Sequence, residues 1–128
     1  PVITAQCFRV ACLDGHMAAV FMKFQDGSKP SIEQIKADWA AFRGPAQELE
    51  LPSAPKQFLH YFEEDNRPQT KLDRNLEHGM AISLGRLRED SQYDYKFVGL
   101  SHNTLHGAAG GAVLLAELLC AKGYIEAK

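Results

Sequence analysis

The fold of this chain can be worked out from one segment, Cys7-Phe8-Arg9-Val10-Ala11-Cys12-Leu13-Asp14-Gly15-His16. Asp14-Gly15 is a turn pair, and it lies between two runs that are rich in β-branched, aromatic and other apolar residues. Residues 2–10 are therefore predicted to form one strand. Residues 16–24 are predicted to pair with it, either as a short-range hairpin or as a bent continuation.

Arg9 and His16 flank the predicted corner. Seven extended residues span about 23 Å, so on a straight strand these side chains could not contact one small molecule. A folded corner could direct both into one pocket. A guanidinium binds a carboxylate or phosphate through two parallel hydrogen bonds, and an imidazole transfers protons near neutral pH. The pair is a candidate substrate site; from the residues alone, the alternative is a surface cation and a partly exposed histidine.

The composition indicates one ordinary domain, residues 1–128, that is 45% hydrophobic and 23% charged. A net charge of −2 and a pI near 6.2 give no electrostatic basis for binding nucleic acid or an anionic membrane. No apolar run is long enough to span a bilayer. The odd number of cysteines, three, predicts a reducing compartment without a disulfide framework, and hence a cytoplasmic protein.

A helix is predicted to follow Ser31, because Ser31 and Gln34 have the spacing of a capping box. Its apolar residues recur at helical spacing and form one stripe, Ile32, Ile35, Trp39 and Phe42. Gly44-Pro45 is predicted to end it. Residues 44–57 are predicted to be a loop, which is long for a compact domain and therefore functional, interfacial or mobile.

Three more strands, at residues 58–62, 80–88 and 95–100, and a helix from residue 104 to about 123 complete the prediction. This order predicts an α+β fold with a mostly antiparallel or mixed sheet and helices on one face. Apolar residues alternate in 80–84 and 95–100, and there are too few helices to cover both faces. A symmetric homodimer through a sheet face is therefore predicted.

Three motifs, in the correct order, resemble the aspartate-semialdehyde dehydrogenase family. Arg-Val-x-x-Leu-Asp-Gly-His, from Arg9 to His16, resembles the signature of its catalytic domain. Leu-Pro-Ser-Ala-Pro-Lys-Gln, at 51–57, is similar to a loop of the fungal and archaeal-like branch. Val-Gly-Leu-Ser-His-Asn-Thr, at 98–104, together with the small residues at 107–112, resembles the C-terminal segment. The resemblance covers essentially the whole chain.

The resemblance implies a glyceraldehyde-3-phosphate-dehydrogenase-like C-terminal domain for catalysis and dimerisation, with the N-terminal nucleotide-binding half absent. The intact enzyme would use NADPH to convert aspartyl phosphate to aspartate semialdehyde, in the biosynthesis of lysine, threonine and methionine. A cysteine thiolate would carry the acyl group. None of the three cysteines here lies in the family's nucleophile motif, so the isolated chain is predicted to be inactive.

The resemblance also implies residue roles. His16 matches the general acid/base, Arg9 the residue that binds the substrate carboxylate, and Asn103 a contact to the nicotinamide of NADP. Most of the NADP site would lie in the absent half. The chain departs from the family at Ala11-Cys12, where Pro-Val is common, so the corner is expected to be less rigid.

Several alternatives remain open at this point. Asn103 is equally suited to cap the helix that follows it. His102 and His106 have a spacing used by zinc sites, but no third ligand is indicated, and no metal site is predicted. The spacing of the glycines in 107–111 is not that of a dinucleotide fingerprint, so close helix packing is predicted. The alternative function is a non-catalytic dimeric α+β module in which Arg9 binds an acidic ligand. Whether dimers pair into a dimer of dimers is left open.

Overall fold

The computed structural model describes residues 1–25 and 27–126, and within them the chain forms four strands and four helices. In chain order these are β1 (His16–Met22), α1 (Ile32–Ala41), α2 (Pro45–Glu48), β2 (Leu59–Phe62), α3 (Thr70–Asp73), β3 (Ile82–Glu89), β4 (Tyr95–Ser101) and α4 (Gly110–Ala121). A 3-10 turn, Leu76–Gly79, precedes β3, and a π-helical turn, Leu105–Ala109, leads into α4.

The strands form one mixed sheet in the order β1-β4-β3-β2. β4 is antiparallel to both of its neighbours, whereas β2 runs parallel to β3. Parallel neighbours need a crossover rather than a tight turn, and the segment containing α3 provides it. The α+β class with a mixed sheet is confirmed.

Helix α1 covers one face of the sheet. Ser31 caps it as predicted, because its side chain accepts the Gln34 N–H at 3.1 Å. Ile32, Ile35 and Trp39 of the apolar stripe pack into a core built around Ile35, Leu87 and Tyr95, whereas Phe42, just after the helix, is 47% exposed. Partly buried side chains surround this core: Met22, Phe24, Ile32, Trp39, Tyr61 and Phe97. The Trp39 ring lies 5.8 Å from that of Tyr61 and 5.1 Å from that of Phe97, so aromatic contacts join helix to sheet.

The opposite face of β1 is open. Side chains alternate along a strand, so Met17, Ala19 and Phe21 point away from the face that α1 covers. Met17 is 51% exposed and Phe21 is 53% exposed. Leu100 of β4 is on the same face but only 2% exposed, and Gly15 packs closely against it.

The prediction of a first strand at residues 2–10 is wrong. Residues 1–10 form no strand and are exposed throughout, including the apolar side chains of Val2 and Phe8. The predicted hairpin is wrong for the same reason, since the partner of β1 is β4. The Asp14-Gly15 corner does not fold the earlier segment back onto β1. Instead, the Gly15 N–H bonds to Asn103, far along the chain.

The predicted loop at 44–57 contains the short helix α2 and is anchored to α4. The Glu117 carboxylate accepts two hydrogen bonds from Ser53, one from its N–H at 2.9 Å and one from its hydroxyl at 2.7 Å. Within the described part of the chain, none of the helices has the length and apolar character that spanning a bilayer requires.

Candidate active site

The corner before β1 is closely packed. Gly15 is buried and has a φ of +99°, a region that residues with a side chain rarely adopt. A Cβ at this position would lie 3.1 Å from Leu100 Cδ1 and 3.1 Å from Thr70 Cγ2. On its other side, the Cys12 thiol donates to the Asp14 carbonyl at 3.1 Å. The backbone conformation therefore favours glycine here, and a Cβ would also crowd the side chains of Leu100 and Thr70.

Asn103 reaches this corner from β4. The Gly15 N–H donates to Asn103 Oδ1 at 2.7 Å, although the two residues are 88 positions apart in the sequence. The β1–β4 register explains the contact, because His16 lies opposite Ser101 and Asn103 follows Ser101 by two residues. The fold thus brings two of the predicted site residues, His16 and Asn103, to the same end of the sheet.

The idea that Asn103 caps the following helix is wrong. Its side-chain oxygen is engaged by Gly15, and the capping contacts come from His102 instead. His102 Nδ1 accepts the N–H groups of Thr104 and Leu105, both at 3.2 Å, and this ring belongs to a residue that is 6% exposed. Serine, threonine, asparagine and aspartate are the usual caps, so nothing in the residue pattern pointed to a histidine.

His16 is the first residue of β1 and is exposed. Arg9 is also exposed, in the segment that joins no strand. In residues 1–25 and 27–126 the salt bridges involve other side chains. Two cavities, of about 300 and 500 Å³, lie around Pro52–Pro55, and neither is lined by His16 or Arg9. The structure therefore places His16 near Asn103, whereas Arg9 lies in an exposed segment outside the sheet.

A buried ion pair lies next to this corner, at the end of α3. Asp73, at the end of α3, is 1% exposed and accepts hydrogen bonds from Arg67 Nε at 2.9 and 2.8 Å and from the Gln69 N–H at 2.7 Å. Burial alone would raise the pKa of Asp73, but the hydrogen bonds from Arg67 and Gln69 outweigh it and lower the pKa below 3.8. The ion pair fixes α3, whose first residue, Thr70, contacts Gly15.

The glycines after Asn103 allow close packing. A Cβ on Gly110 would lie 2.6 Å from Met80 Sδ, so α4 begins against the segment that precedes β3. The His106 ring packs against Phe58 with its plane tilted by 40° and the ring centroids 5.5 Å apart. Since His102 Nδ1 already accepts two backbone N–H groups, its second nitrogen alone remains for a metal ion, and the described residues contain no cluster of three or more ligating side chains.

Comparison with known proteins defines the class. The family model described as semialdehyde dehydrogenase, dimerisation domain, matches residues 1–106. Since this match covers most of the chain, the chain belongs to the family of semialdehyde dehydrogenase dimerisation domains.

The relatives are more specific. The aspartate-semialdehyde dehydrogenase of Saccharomyces cerevisiae is 46% identical over 123 residues, which are 96% of this chain and 34% of the relative. That of Methanothermobacter thermautotrophicus is 41% identical over 119 residues, which are 91% of this chain and 34% of the relative. This chain thus spans about a third of the length of the curated relatives that it matches.

The fold agrees with these relatives. The crystal structure of aspartate semialdehyde dehydrogenase with NADP from Candida albicans superimposes with a TM-score of 0.80 at 44% identity, covering 88% of this chain and 31% of that one. The Vibrio cholerae aspartate semialdehyde dehydrogenase II complexed with ASA has a TM-score of 0.64 at 22% identity, covering 84% of this chain and 27% of that one. The second likeness shows a common fold.

Proposed function

We propose that this chain is the catalytic and dimerisation domain of a longer protein, here called the parent protein, that is an NADPH-dependent aspartate-semialdehyde dehydrogenase. The observation that carries the proposal is the 46% identity to the yeast enzyme over 96% of the chain. The reaction consumes aspartyl phosphate, NADPH and a proton and yields aspartate semialdehyde, NADP and phosphate. It serves lysine, threonine and methionine biosynthesis, and the free cysteines fit a reducing, cytoplasmic setting.

His16 is proposed as the general acid/base. It stands exposed at the first position of β1, beside the tightly packed Gly15, so its backbone is held while its ring faces the solvent side. In the reductive direction it donates a proton to the substrate oxygen as negative charge develops there. In the reverse direction it accepts that proton. The cysteine nucleophile belongs to the part of the parent protein that lies outside this chain.

Arg9 is proposed to bind the carboxylate of the substrate, because a guanidinium can hold both carboxylate oxygens at once. Residues 1–10 make no sheet pairing within the described residues. We therefore propose that contacts with the other two thirds of the parent protein bring Arg9 to face His16. The same contacts would complete a substrate pocket between Arg9 and His16.

Asn103 is proposed to contact the nicotinamide of NADP, and its surroundings fit that role. Its oxygen accepts the Gly15 N–H, so both amide N–H donors remain for an acceptor such as a carboxamide oxygen. NADPH, when bound, supplies the hydride. The relative from Candida albicans was solved with NADP, and most of the nucleotide would be held by the nucleotide-binding half.

We also propose that the parent protein is a homodimer through the open face of the sheet. The family model is that of a dimerisation domain, and Met17 and Phe21 expose about half of their surface on that face. An apolar sheet face of this kind needs a cover. Phe21→Glu should convert the dimer to monomer in sedimentation at a concentration where the wild type is dimeric. Val113→Glu is the matched control, since Val113 of α4 is 52% exposed.

The test of the enzymatic function is an assay of the parent protein. NADP should be reduced when aspartate semialdehyde and phosphate are added together, and His16→Ala should lower kcat by about a hundredfold or more while folding is unchanged. Arg9→Lys should mainly raise the KM for aspartate semialdehyde. The chain of residues 1–128 alone should show no turnover. An acidic ligand that binds without any turnover by the parent protein would favour the non-catalytic module.

A further inference from the structure

We infer that Asn103 is a positioning residue for His16, acting through its hydrogen bond to the Gly15 N–H. The inference rests on the proposed function, because it assigns Asn103 a second task within the same site. The side chain would point its oxygen at the corner and its nitrogen at the nucleotide. One amide group would then align the proton-transfer residue with the hydride donor.

The Gly15 N–H has a particular need for this partner. Gly15 is buried, and a buried N–H without a hydrogen bond is costly. The β1–β4 register begins at the pair His16 and Ser101, so Gly15 lies just outside it. Asn103 extends the pairing by one residue through its side chain. Without Asn103, the buried Gly15 N–H, one residue before His16, would lose the hydrogen bond that it makes here.

His16 and Asn103 belong to a short closed loop of contacts. His16 pairs with Ser101, Asn103 follows Ser101 by two residues, and the Asn103 side chain returns to Gly15, the neighbour of His16. The intervening residue, His102, is buried and binds the next two free N–H groups, which fixes the backbone that carries Asn103. Thr70 and Leu100 restrict Gly15 from the other side. A loop of contacts of this size leaves His16 little freedom to shift.

Two substitutions separate the two proposed tasks of the Asn103 amide: accepting the Gly15 N–H, and donating to the nicotinamide. Asn103→Asp keeps an oxygen acceptor for the Gly15 N–H but loses both N–H donors. Asn103→Leu has a similar size and loses donors and acceptor alike. If Asn103 positions His16, Asn103→Leu in the parent protein should lower kcat by about ten- to a hundredfold with little change in the KM for aspartate semialdehyde, because small misplacements of catalytic groups have effects of this order. Asn103→Asp should recover most of this kcat.

A double-mutant cycle makes the test specific. In a His16→Ala background, Asn103→Leu should have little further effect on kcat, since groups that act as one unit are not additive. Asn75→Leu is the matched control, because Asn75 is exposed and its side chain caps no helix; it should leave kcat unchanged. Amide hydrogen exchange at Gly15 should be faster in Asn103→Leu than in the wild type, and wild-type-like in Asn103→Asp.

The outcomes distinguish failure of this inference from failure of the proposed function on which it rests. If His16→Ala keeps the wild-type kcat, the proposed function is wrong and the inference fails with it. If His16→Ala loses activity but Asn103→Leu and Asn103→Asp are equally impaired, with a raised KM for NADP, Asn103 serves the nucleotide only and the inference alone is overturned. Multiplicative losses in the double variant, or unchanged Gly15 exchange in Asn103→Leu, would also overturn it.

Discussion

Replacing Asp73 with alanine should strongly destabilise the protein, because it breaks a buried ion pair from one side. The carboxylate is 1% exposed and accepts hydrogen bonds from Arg67 and the Gln69 N–H. In Asp73→Ala the Arg67 guanidinium loses its anionic partner and the Gln69 N–H loses its acceptor. Removal of one member of a buried pair typically costs about 3–5 kcal/mol.

The structure places the expected loss at the lower end of that range. The Arg67 side chain is 24% exposed, and its guanidinium lies 4.4 Å from the centre of the Phe62 ring. It therefore keeps some hydration and one favourable contact after the substitution. We expect a loss of about 3 kcal/mol, which lowers Tm by about 4 °C for a protein about three times as long as this chain. Thermal unfolding of the parent protein at one fixed scan rate measures this.

Glu63→Ala is the control. Glu63 pairs with Lys36 at 2.7 Å, but its side chain is 72% exposed, so its removal should cost less than about 1 kcal/mol. If Asp73→Ala and Glu63→Ala unfold at the same temperature, the buried pair does not support α3 and the reasoning is refuted. The pH dependence gives a second check. Because the folded pKa of Asp73 is below 3.8, its stabilisation is complete above that pH and is lost as the pH falls through the folded pKa.

Three smaller changes test other parts of the fold by the same unfolding measurement. Ser31→Ala removes the cap of α1 and should cost about 1 kcal/mol; an unchanged Tm would contradict it. Gly85→Ala places a Cβ 2.5 Å from the Arg67 carbonyl oxygen and should cost about 1–3 kcal/mol by overpacking, so an increase in Tm would show that the Arg67 backbone moves freely. Glu117→Ala releases Ser53 and should speed proteolysis within residues 51–57, whereas equal cleavage rates would mean that other contacts hold this loop.

Local patterns predicted the elements whose partners are local or amphipathic. Helix α1 follows from the Ser31 cap and an apolar stripe that includes Ile35, and β4 follows from its alternation. Residues 2–10 have the same β-prone composition, yet they form no strand. A strand needs a neighbour for its N–H and C=O groups, and composition does not say whether one is available. The nearest candidate, β1, is an edge strand that pairs with β4 on one side, and residues 2–10 do not pair along its other edge.

The site residues could likewise be named from the sequence, but their arrangement could not. His16, Arg9 and Asn103 could be named because their motifs resemble those of a family. Their arrangement could not be deduced, because it depends on the β1–β4 register, and the two strands are separated by most of the chain. For the same reason, the hydrogen bond between the Gly15 N–H and Asn103 could not be predicted from the sequence. The capping role of His102 was missed because its side chain is not among the usual caps.

The corner before His16 is held from two independent directions. Variants that break each support should therefore differ in their effects on Tm and kcat. On one side, the Arg67–Asp73 pair fixes α3 and so keeps Thr70 against Gly15. On the other, Asn103 binds the Gly15 N–H from the end of β4. The first support is part of the fold's stability, because it includes a charge removed from water. The second is one hydrogen bond at the edge of the sheet, and leaving its buried donor unpaired costs about 1–3 kcal/mol. Asp73→Ala should therefore lower Tm by more than Asn103→Leu does, and both variants should lower kcat.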